Sequence, residues 1–366
     1  MNQAAATQDP EKAGGIDYFV MSFLIFTPII GIAGTALYTY IYGFELWMAL
    51  LALGMYVAVG MSICAGYHRF FSHKSYEASK PVQYFFAIFG AMAAQNSALL
   101  WSSSHRIHHQ YVDRDWDPYN IKRGFWWAHI LWVFYKHDRP DVEANAQDLL
   151  KNPVVMWQHR WYKLILIGAY FGDAIAGLLW GGFLRIAVIH HTTFFVNSLA
   201  HYVGKPTYNA EVSARDNWGV ALLTLGEGYH SFHHRFPVDF RNGIRWYHWD
   251  PAKWFIATLR AVGLASDLRA ATPPQIERAR MDAEIRAIEP HLATAPSDLA
   301  DHVRRLIADA RSHLDSAFTL WRQHVEEQSR NASSKWRETR KSARRHVREA
   351  RRRWRSARSM ATRAIA

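Results

Sequence analysis

The chain has 366 residues, half of them hydrophobic, with 16 Trp, 17 Tyr and 20 Phe, so a membrane protein has to be considered before a water-soluble globular one. The single cysteine, Cys64, excludes an intrachain disulfide and a thiolate metal site, so any metal must be bound by histidine or carboxylate. The net charge of +12 comes almost entirely from residues 335–366, which contain 13 Lys or Arg and two Glu.

Four apolar segments are long enough to cross a hydrocarbon core of roughly 30 Å as helices. They are residues 17–42, 44–67, 162–182 and 183–203. The last two are separated by the turn-prone pair Gly181-Gly182 and are predicted to form a helical hairpin. Residues 82–101 are also apolar but include three consecutive polar residues from Gln95, which favours a helix on or partly in the membrane over a fifth span.

Charge asymmetry predicts the orientation of these spans. The short connections within each pair of spans contain no Lys or Arg, whereas residues 68–161 contain eleven. The positive-inside rule places that long connection in the cytoplasm. With four spans, both termini then lie in the cytoplasm as well.

Three histidine clusters stand out. They are His68-Arg-Phe-Phe-Ser-His73, His105-Arg-Ile-His108-His109 and His230-Ser-Phe-His233-His234. In the second and third, spacings of three and four place imidazoles on one helix face, where they can converge on a metal ion. The spacing of five in the first fits one helical turn less well, and we expect it where the second span ends. Two crossings separate the first two clusters from the third, so all three face the same side.

One such cluster is more often structural than metal-binding, but three on one membrane face favour a metal site. Eight histidines are too many for one tetrahedral zinc ion, so two ions are predicted. Iron, zinc, copper and nickel all accept imidazole, and the residue types do not choose among them. No Asp or Glu stands three residues after a clustered histidine, so we interpret the clusters as different from the carboxylate-rich Glu-x-x-His arrangement of ferritin-like bundles.

The clusters and their surroundings also point to a family. The sequence contains WSSSHRIHHQYVDRDWDPYNIKRGFWWAH and GEGYHSFHHRFPVDFRNGIRWYHWDP in addition to HRFFSH. Over residues 17–268 it resembles the membrane-bound fatty acid desaturases, most closely the Δ9 acyl-CoA (stearoyl-CoA type) branch. The resemblance implies a non-haem di-iron enzyme that uses O2 and two electrons to leave a cis double bond in an acyl chain. It also implies that all eight clustered histidines bind iron.

A ninth ligand is implied by the family pattern Asn-Ser-x-x-His, which here is Asn197-Ser-Leu-Ala-His201. His201 would bind iron directly and Asn197 through water, and a separation of four would place both on one helix face. Metal-bound imidazoles usually donate their other N–H to an acceptor; we expect Glu227, Asp113, Asp115 and Asp117 in this role. Structural or surface roles are expected for His129, His137, His159, His190, His191 and His248.

An acyl-CoA substrate would bring phosphates and an adenine to the cytoplasmic face. Candidate contacts are Arg106, Asn120, Lys122, Arg123, Lys136 and Arg139, with Trp126 or Trp127 for stacking. For the basic residues, the competing interpretation is positive-inside loop charge. The region around residues 134–139 departs from the arginine-lysine run expected of the CoA enzymes, which leaves acyl-lipid or acyl-carrier-protein substrates open.

In the family the acyl chain ends against the second span, where this sequence has Ala52 and Tyr56. A tyrosine there would shorten the tunnel, so 16-carbon chains are predicted to be favoured over longer ones.

The His-Pro-Gly-Gly pattern of haem-binding cytochrome b5 does not occur in the sequence. We therefore expect a separate electron donor, such as ferredoxin, rubredoxin or cytochrome b5 with its reductase.

After Pro273-Pro274 the sequence repeats every eleven residues from His291. Eleven residues in three turns place apolar residues in a nearly straight stripe along a long helix. The stripe consists of Leu292, Leu299, Val303, Ala310, Leu314, Trp321, Val325, Ala332, Trp336, Ala343, Val347 and Trp354. Two interpretations remain: a surface helix or coiled coil, or a helix on the anionic inner leaflet with Trp336 and Trp354 as anchors. Nucleic-acid binding is the weaker alternative.

The sequence thus predicts an all-α, four-span integral membrane protein with a cytoplasmic helical cap that holds a dimetal site. Residues 1–16 form a tail, 17–270 the desaturase domain and 271–366 a basic helical extension. The closest rival is a hydroxylase or ketolase with the same histidine pattern. A histidine-rich membrane metal carrier is a third hypothesis. Such a carrier would exchange metal across the bilayer, whereas these histidines gather at one membrane face.

Overall fold

The computed structural model describes residues 14–136, 145–168, 175–329 and 335–365. The chain divides into two compact units. Unit 1 comprises Met1–Lys205 and Ser213–Ala270, and unit 2 comprises Pro206–Val212 and Ala271–Ala366. Helices dominate both units.

Unit 1 begins with two apolar helices that are long enough to cross a membrane, α1 (Tyr18–Tyr42) and α2 (Leu46–Ser72). They correspond to the first two predicted spans, and among the described residues they alone meet the criteria of length and hydropathy. Each contains π-helical turns, at Ile30–Gly34 in α1 and at Ser62–Ser72 in α2. π-helical turns are rare and often lie at functional sites.

The remaining helices of unit 1 are shorter. They are α3 (Lys80–Ala91), α4 (Ala98–Tyr111), α5 (Phe125–His129), α6 (Gln147–Leu150), α7 (Pro153–Gly168), α8 (Gly177–Leu184 continuing as Arg185–Asn197), α9 (Leu199–Tyr202), α10 (Trp218–Leu223), α11 (His230–Arg235) and α12 (Pro251–Ala261). Two antiparallel pairs of short strands complete the unit: β1 (Gly14–Ile16) with β3 (Tyr135–Lys136), and β2 (Glu77–Ala78) with β4 (Ala265–Ser266).

The predicted turn at Gly181-Gly182 is wrong, because both glycines lie within the continuous helix α8. A different glycine, Gly31, marks a close approach between α1 and α8. A Cβ atom on Gly31 of α1 would lie 2.8 Å from the backbone nitrogen of Leu184 in α8. Small residues allow such backbone approach between apolar helices. Residues 169–174, which belong to the third predicted span, lie outside the described residues.

The predicted single helix over 82–101 is also wrong. Helix α3 ends at Ala91 and α4 begins at Ala98. Between them, Ala94 and Asn96 have φ angles of 56° and 80°, which a continuing helix does not tolerate. The hydroxyl of Ser97 accepts a hydrogen bond from the amide of Leu100 and caps α4.

Unit 2 contains three long helices, α13 (Pro273–Thr294), α14 (Ser297–Ser329) and α15 (Lys335–Ile365). A capping box between Thr272 and Gln275 begins α13. The helices pack around a core that contains Met281, Ile285, Leu292, Val303, Ile307, Ala310, Leu314, Ala350, Trp354, Ala357 and Ala361.

The apolar stripe of the repeats is therefore mostly core, and the extension is not one long helix. Trp354 is 3% exposed, so its predicted role as a membrane anchor is wrong, because its apolar surface is already buried between helices of the same chain. Among the stripe residues whose side chains are described, Val325 is the exposed one, at 52%. The side chain of Trp336 lies outside those described.

Candidate metal centre

The first histidine cluster lies where α2 ends. Residues 62–72 are π-helical, and the amide of His73 donates to the carbonyl of His68 at 3.2 Å, five residues back. The wider turn brings the two rings to a centroid distance of 5.1 Å. The spacing of five, which fits an α-helix poorly, therefore suits the helix that forms here.

Helices α4 and α11 carry the other two clusters, and each helix supplies both halves of the site. His105 and His109, one turn apart on α4, join one group of imidazoles, and His108 joins the other. On α11, His233 joins the first group, and His230 and His234 join the second. His201, on the short helix α9, completes the second group.

The nine histidines thus form a five-residue group and a four-residue group. In each group the ligand nitrogens lie within 4.8 Å of one another. In the first, Nε2 of His233 is 2.9 Å from Nε2 of both His68 and His109. In the second, Nε2 of His230 is 3.0 Å from Nε2 of both His201 and His234. The rings of His109 and His234 stack at 4.3 Å, so the two groups adjoin.

Carboxylates fix the orientation of one imidazole in each group. Nδ1 of His68 lies 2.9 Å from Oε2 of Glu227, and Nδ1 of His108 lies 2.8 Å from Oδ1 of Asp117. Ionised carboxylates only accept hydrogen bonds, so Nδ1 carries a proton in both rings. Nε2 of each ring then presents its lone pair to its group.

His201 is oriented through a hydroxyl. Its Nδ1 lies 2.7 Å from the hydroxyl oxygen of Ser213, and that hydroxyl donates to Asp113. Because the only proton of the hydroxyl is used, Ser213 accepts from Nδ1 of His201. His201 therefore also presents an unprotonated Nε2. Tyr119, whose hydroxyl oxygen is 3.4 Å from Nδ1 of His105, lies beside the first group.

Burial and neighbouring imidazoles favour the neutral form of five of the clustered histidines. Burial, assisted by the neighbouring His108 and His68, lowers the pKa of His230 to about 3. Burial and nearby imidazoles also hold the pKa values of His105, His109, His233 and His234 well below the usual range. Neutral imidazole is the form that binds metals.

A buried network of charged residues surrounds Glu227, the carboxylate that contacts His68. Arg69 is 1% exposed, and its guanidinium lies 2.9 Å from the carboxylate of Glu227 and 2.9 Å from the carboxylate of Asp250. Burial alone would raise the pKa of Glu227, but Arg69 and His68 outweigh it and hold that pKa well below its usual range. The side-chain amide of Asn242 also donates to Glu227.

Several of these supporting residues were missed by sequence reasoning, namely Arg69, Tyr119, Ser213, Asn242 and Asp250. A signal existed for Arg69, because a charged residue in an apolar helix next to a cluster histidine is expected to be paired or functional. Asp115 was predicted as an imidazole acceptor but is exposed, whereas Asp117, two residues later, is buried against His108.

Asn197 is the last residue of α8, and Ser198 breaks the helix with φ −100° and ψ −70°. Asn197 and His201 are therefore not on one helix face, contrary to the prediction. The break is what gives His201 its own short helix, α9.

Two predicted substrate contacts do not fit that role. The guanidinium of Arg106 binds both carboxylate oxygens of Asp148 and three backbone carbonyls, so its donors are used within the protein. The side chain of Asn120 is buried and bonds the backbone of Arg114 and Lys122. Both were predicted from charge and polarity, which do not reveal internal partners.

The other predicted substrate residues remain available. Lys122, Arg123 and Lys136 are exposed, and the guanidinium of Arg123 lies 3.4 Å from the ring centre of Trp127. Ala52 and Tyr56 lie half-buried on α2, and the hydroxyl of Tyr56 is 3.3 Å from that of Thr192 on α8. Arg139 lies outside the described residues.

The isolated histidines contact other parts of the protein. Nε2 of His190 is 2.8 Å from the carbonyl of Ala93, and His191 lies 3.0 Å from His129. His159 contacts Ser97, and His248 stacks on Tyr229. His137 falls outside the described residues.

Comparison with known proteins agrees with this site. The family model for fatty acid desaturases matches residues 45–264. Acyl-CoA desaturase 1 of Saccharomyces cerevisiae is 41% identical over 65% of this chain and 49% of its own length. The sn-2 palmitoyl-lipid 9-desaturase of Nostoc is 37% identical over 61% and 83%, and human stearoyl-CoA desaturase 5 is 36% identical over 61% and 72%.

The chain spans about half the length of two of these relatives: 49% of the Saccharomyces cerevisiae protein and 50% of the probable acyl-CoA desaturase of Schizosaccharomyces pombe, which is 42% identical over 63% of this chain. The family match extends over more than half of the chain and includes all nine clustered histidines. The chain belongs to the fatty acid desaturase family.

Proposed function

We propose that the chain is an O2-dependent desaturase that introduces a cis double bond, at the Δ9 position, into a saturated fatty acyl-CoA. The nine clustered histidines are the proposed metal ligands, with Asn197 as a further partner through water. The observation that carries this proposal is the convergence of nine buried imidazoles into two adjoining groups.

The residues fit two iron ions. Each group offers at least four imidazole nitrogen donors around one point, and imidazole suits iron. In the second group, His108 and His201 point Nε2 inward because Asp117 and Ser213 hold their Nδ1 protons. Such outer hydrogen bonds are a general feature of metal-bound histidine.

Bound iron would supply the redox chemistry. Two hydrogens from the acyl chain, together with two donor electrons and two protons, reduce O2 to two molecules of water and leave a carbon–carbon double bond. The protein residues hold the ligands rigid and exclude bulk water. His68 and His233, for example, are 4% and 1% exposed, and a dry site protects reactive species from side reactions.

The relatives favour an acyl substrate but not a single head group. The yeast and human relatives are named as acyl-CoA and stearoyl-CoA desaturases, whereas the Nostoc relative is named as a palmitoyl-lipid enzyme. We propose acyl-CoA, with acyl-lipid as the alternative. Lys122, Arg123 and Lys136 are the proposed contacts for its phosphates, since all three are exposed cations.

We further propose four membrane spans, with the metal centre and both termini in the cytoplasm. The helices α1 and α2 supply two spans, and the eleven basic residues of 68–161 support the orientation. A separate redox protein would then deliver electrons from the cytoplasm, while the acyl chain would enter from the lipid side.

The test is the fatty acid profile of a desaturase-deficient host that expresses the chain with a compatible electron donor. We expect new Δ9 monoenes, and loss of them in His233→Ala. The matched control is His248→Ala, which removes a histidine outside both groups and should leave the product in place. Hydroxylated fatty acids without new alkenes would contradict the proposal and favour a hydroxylase.

A further inference from the structure

Helix α15 has two faces of opposite chemistry. One face is buried in unit 2 and includes Ala343, Val347, Ala350, Trp354 and Ala357. The opposite face carries six exposed cations: Lys341, Arg344, Arg345, Arg348, Arg352 and Arg355. At 3.6 residues per turn these six fall within a sector of about 100°, and at 1.5 Å per residue the row is about 21 Å long. We call this row the basic face of α15.

Three of the cations at the borders of the buried face are paired with acids of the same unit. Arg351 binds Glu277, Arg353 binds Asp309 and Glu349, and Arg358 binds Glu284. On the basic face, only Arg352 lies within 4.0 Å of a carboxylate among the side chains that the structure describes. That carboxylate is Glu349, at 3.6 Å from an arginine whose side chain is 80% exposed.

Bundle stability does not account for this row. Like charges three and four residues apart, such as Arg344 with Arg348 and Arg348 with Arg352, destabilise a helix. The helix is held in place by its apolar face, and the row of cations opposes it. An anionic partner would remove that repulsion.

We propose that the basic face of α15 binds the anionic headgroups of a bilayer surface; this rests on the proposed membrane placement of the desaturase. The partner is recognised by charge alone, because Val325 and Met360 are the large exposed hydrophobics among the described residues of unit 2. Surface binding by clustered Lys and Arg is attractive to anionic lipid and needs no inserted side chain.

Covalent connection favours a membrane over other polyanions. Unit 2 is joined to unit 1 at residues 205/206, 212/213 and 270/271, and unit 1 carries the apolar helices α1 and α2. A tethered site meets a nearby surface at high effective concentration. Nucleic acid is also negatively charged, but no covalent connection of this chain holds nucleic acid near unit 2.

The experiment uses the full chain in nanodiscs of phosphatidylcholine, with or without phosphatidylglycerol. A fluorophore is placed on the basic face through Ser359→Cys, since Ser359 is exposed there and the native Cys64 is buried. A nitroxide on lipid headgroups reports proximity by quenching. We expect several-fold stronger quenching in anionic discs, lost at 1 M salt, where the screening length is about 3 Å.

A charge-neutralised variant combines Arg344→Gln, Arg345→Gln, Arg348→Gln and Arg355→Gln and should lose the extra quenching. The control combines Arg304→Gln, Arg305→Gln, Arg311→Gln and Arg322→Gln, which removes the same charge from exposed positions of α14. That control should keep the extra quenching.

Three results would overturn the proposal: equal quenching in both lipids, persistence of the extra quenching in the basic-face variant, or displacement of the basic face from anionic discs by added RNA. Alkene formation by the unaltered protein is measured in the neutral discs. It tests the desaturase function without requiring anionic lipid, so failure of the two proposals can be told apart.

Discussion

Oε2 of Glu227 lies 2.9 Å from Nδ1 of His68, and the same carboxylate accepts from the guanidinium of Arg69. Glu227 thereby links a proposed metal ligand to a buried ion network that also contains Asp250. The arrangement fixes the proton of His68 on Nδ1, and it compensates one buried positive charge with two negative charges.

Replacing Glu227 by Gln should weaken iron binding in the five-histidine group by about 10- to 100-fold, because outer acceptors orient and strengthen imidazole ligands. Titration of metal-free protein with Fe²⁺ measures the affinity. The control is Glu211→Gln, which removes an exposed carboxylate of unit 2, 59% exposed, and should leave the affinity unchanged. An unaltered affinity in Glu227→Gln would show that this carboxylate does not support the ligand.

Asp117→Asn should act on the four-histidine group. Asp117 accepts from Nδ1 of His108 at 2.8 Å, and its second oxygen accepts from the amide of Asp113. We expect one of two iron-binding steps to weaken by about 10- to 100-fold while the other is retained. Asp115→Asn, two residues away and exposed, is the matched control. Equal weakening of both steps would contradict the assignment of Asp117 to one group.

Metal-free protein should lose stability in acid. The pKa of His230 is about 3 in the folded chain and 6.5 as a free side chain. Between these values the unfolded chain binds more protons, so the free energy of unfolding falls as the pH decreases from about 6.5 to about 3. Each such histidine contributes about 1.4 kcal/mol per pH unit.

Thermal unfolding of chelator-treated protein at pH 7.5 and 5.5 measures this effect. His230→Asn should narrow the difference between the two Tm values, whereas His302→Asn, at an exposed position of α14, should not. A Tm difference that is the same in His230→Asn as in the unaltered chain would argue against the burial of an uncharged imidazole.

Tyr56→Ala should shift chain-length preference from 16 toward 18 carbons. Tyr56 lies on α2 with its hydroxyl 3.3 Å from that of Thr192 on α8, so its side chain connects these two helices. Removing the ring would create space for further methylenes if the acyl chain ends there. Product analysis with mixed 16- and 18-carbon substrates is the measurement. Thr192→Val, which removes only the hydroxyl contact, should preserve the preference; an unchanged ratio in Tyr56→Ala would place the tunnel end elsewhere.

Trp354→Ala should destabilise unit 2 by about 3–5 kcal/mol, because a large buried side chain is lost. The indole is 3% exposed and its Nε1 donates to Glu284 at 2.6 Å. Limited proteolysis of the full chain should cleave unit 2 faster in this variant. Met360→Ala, at a position that is 39% exposed on the same helix, should leave the rate unaltered. Unchanged protease resistance in Trp354→Ala would contradict a core role.

Local spacing carried much of the prediction. Histidines three and four residues apart share a helix face whatever the rest of the chain does, so the clusters of α4 and α11 were visible in the sequence. Apolar length likewise indicated α1 and α2, and the eleven-residue period marked five core residues of unit 2, namely Leu292, Val303, Ala310, Leu314 and Trp354.

Tertiary structure decided which faces meet. Sequence spacing does not show that His105 and His109 belong to the same group as His233, or that His108 belongs to the group of His230 and His234. That division depends on how α4 and α11 cross. It also does not identify Glu227 as the partner of His68, since the two are distant in the chain.

The same reason explains the errors. Gly181-Gly182 resembles a turn by composition, but both glycines lie within α8, which packs closely against α1 at Gly31. The stripe that contains Trp354 resembles a membrane-binding face until two other helices of the chain cover it. The sequence by itself determined which residues are apolar, charged or able to bind metal, whereas the packing of distant segments determined what each of them contacts, because contact energies depend on the partner as well as on the residue.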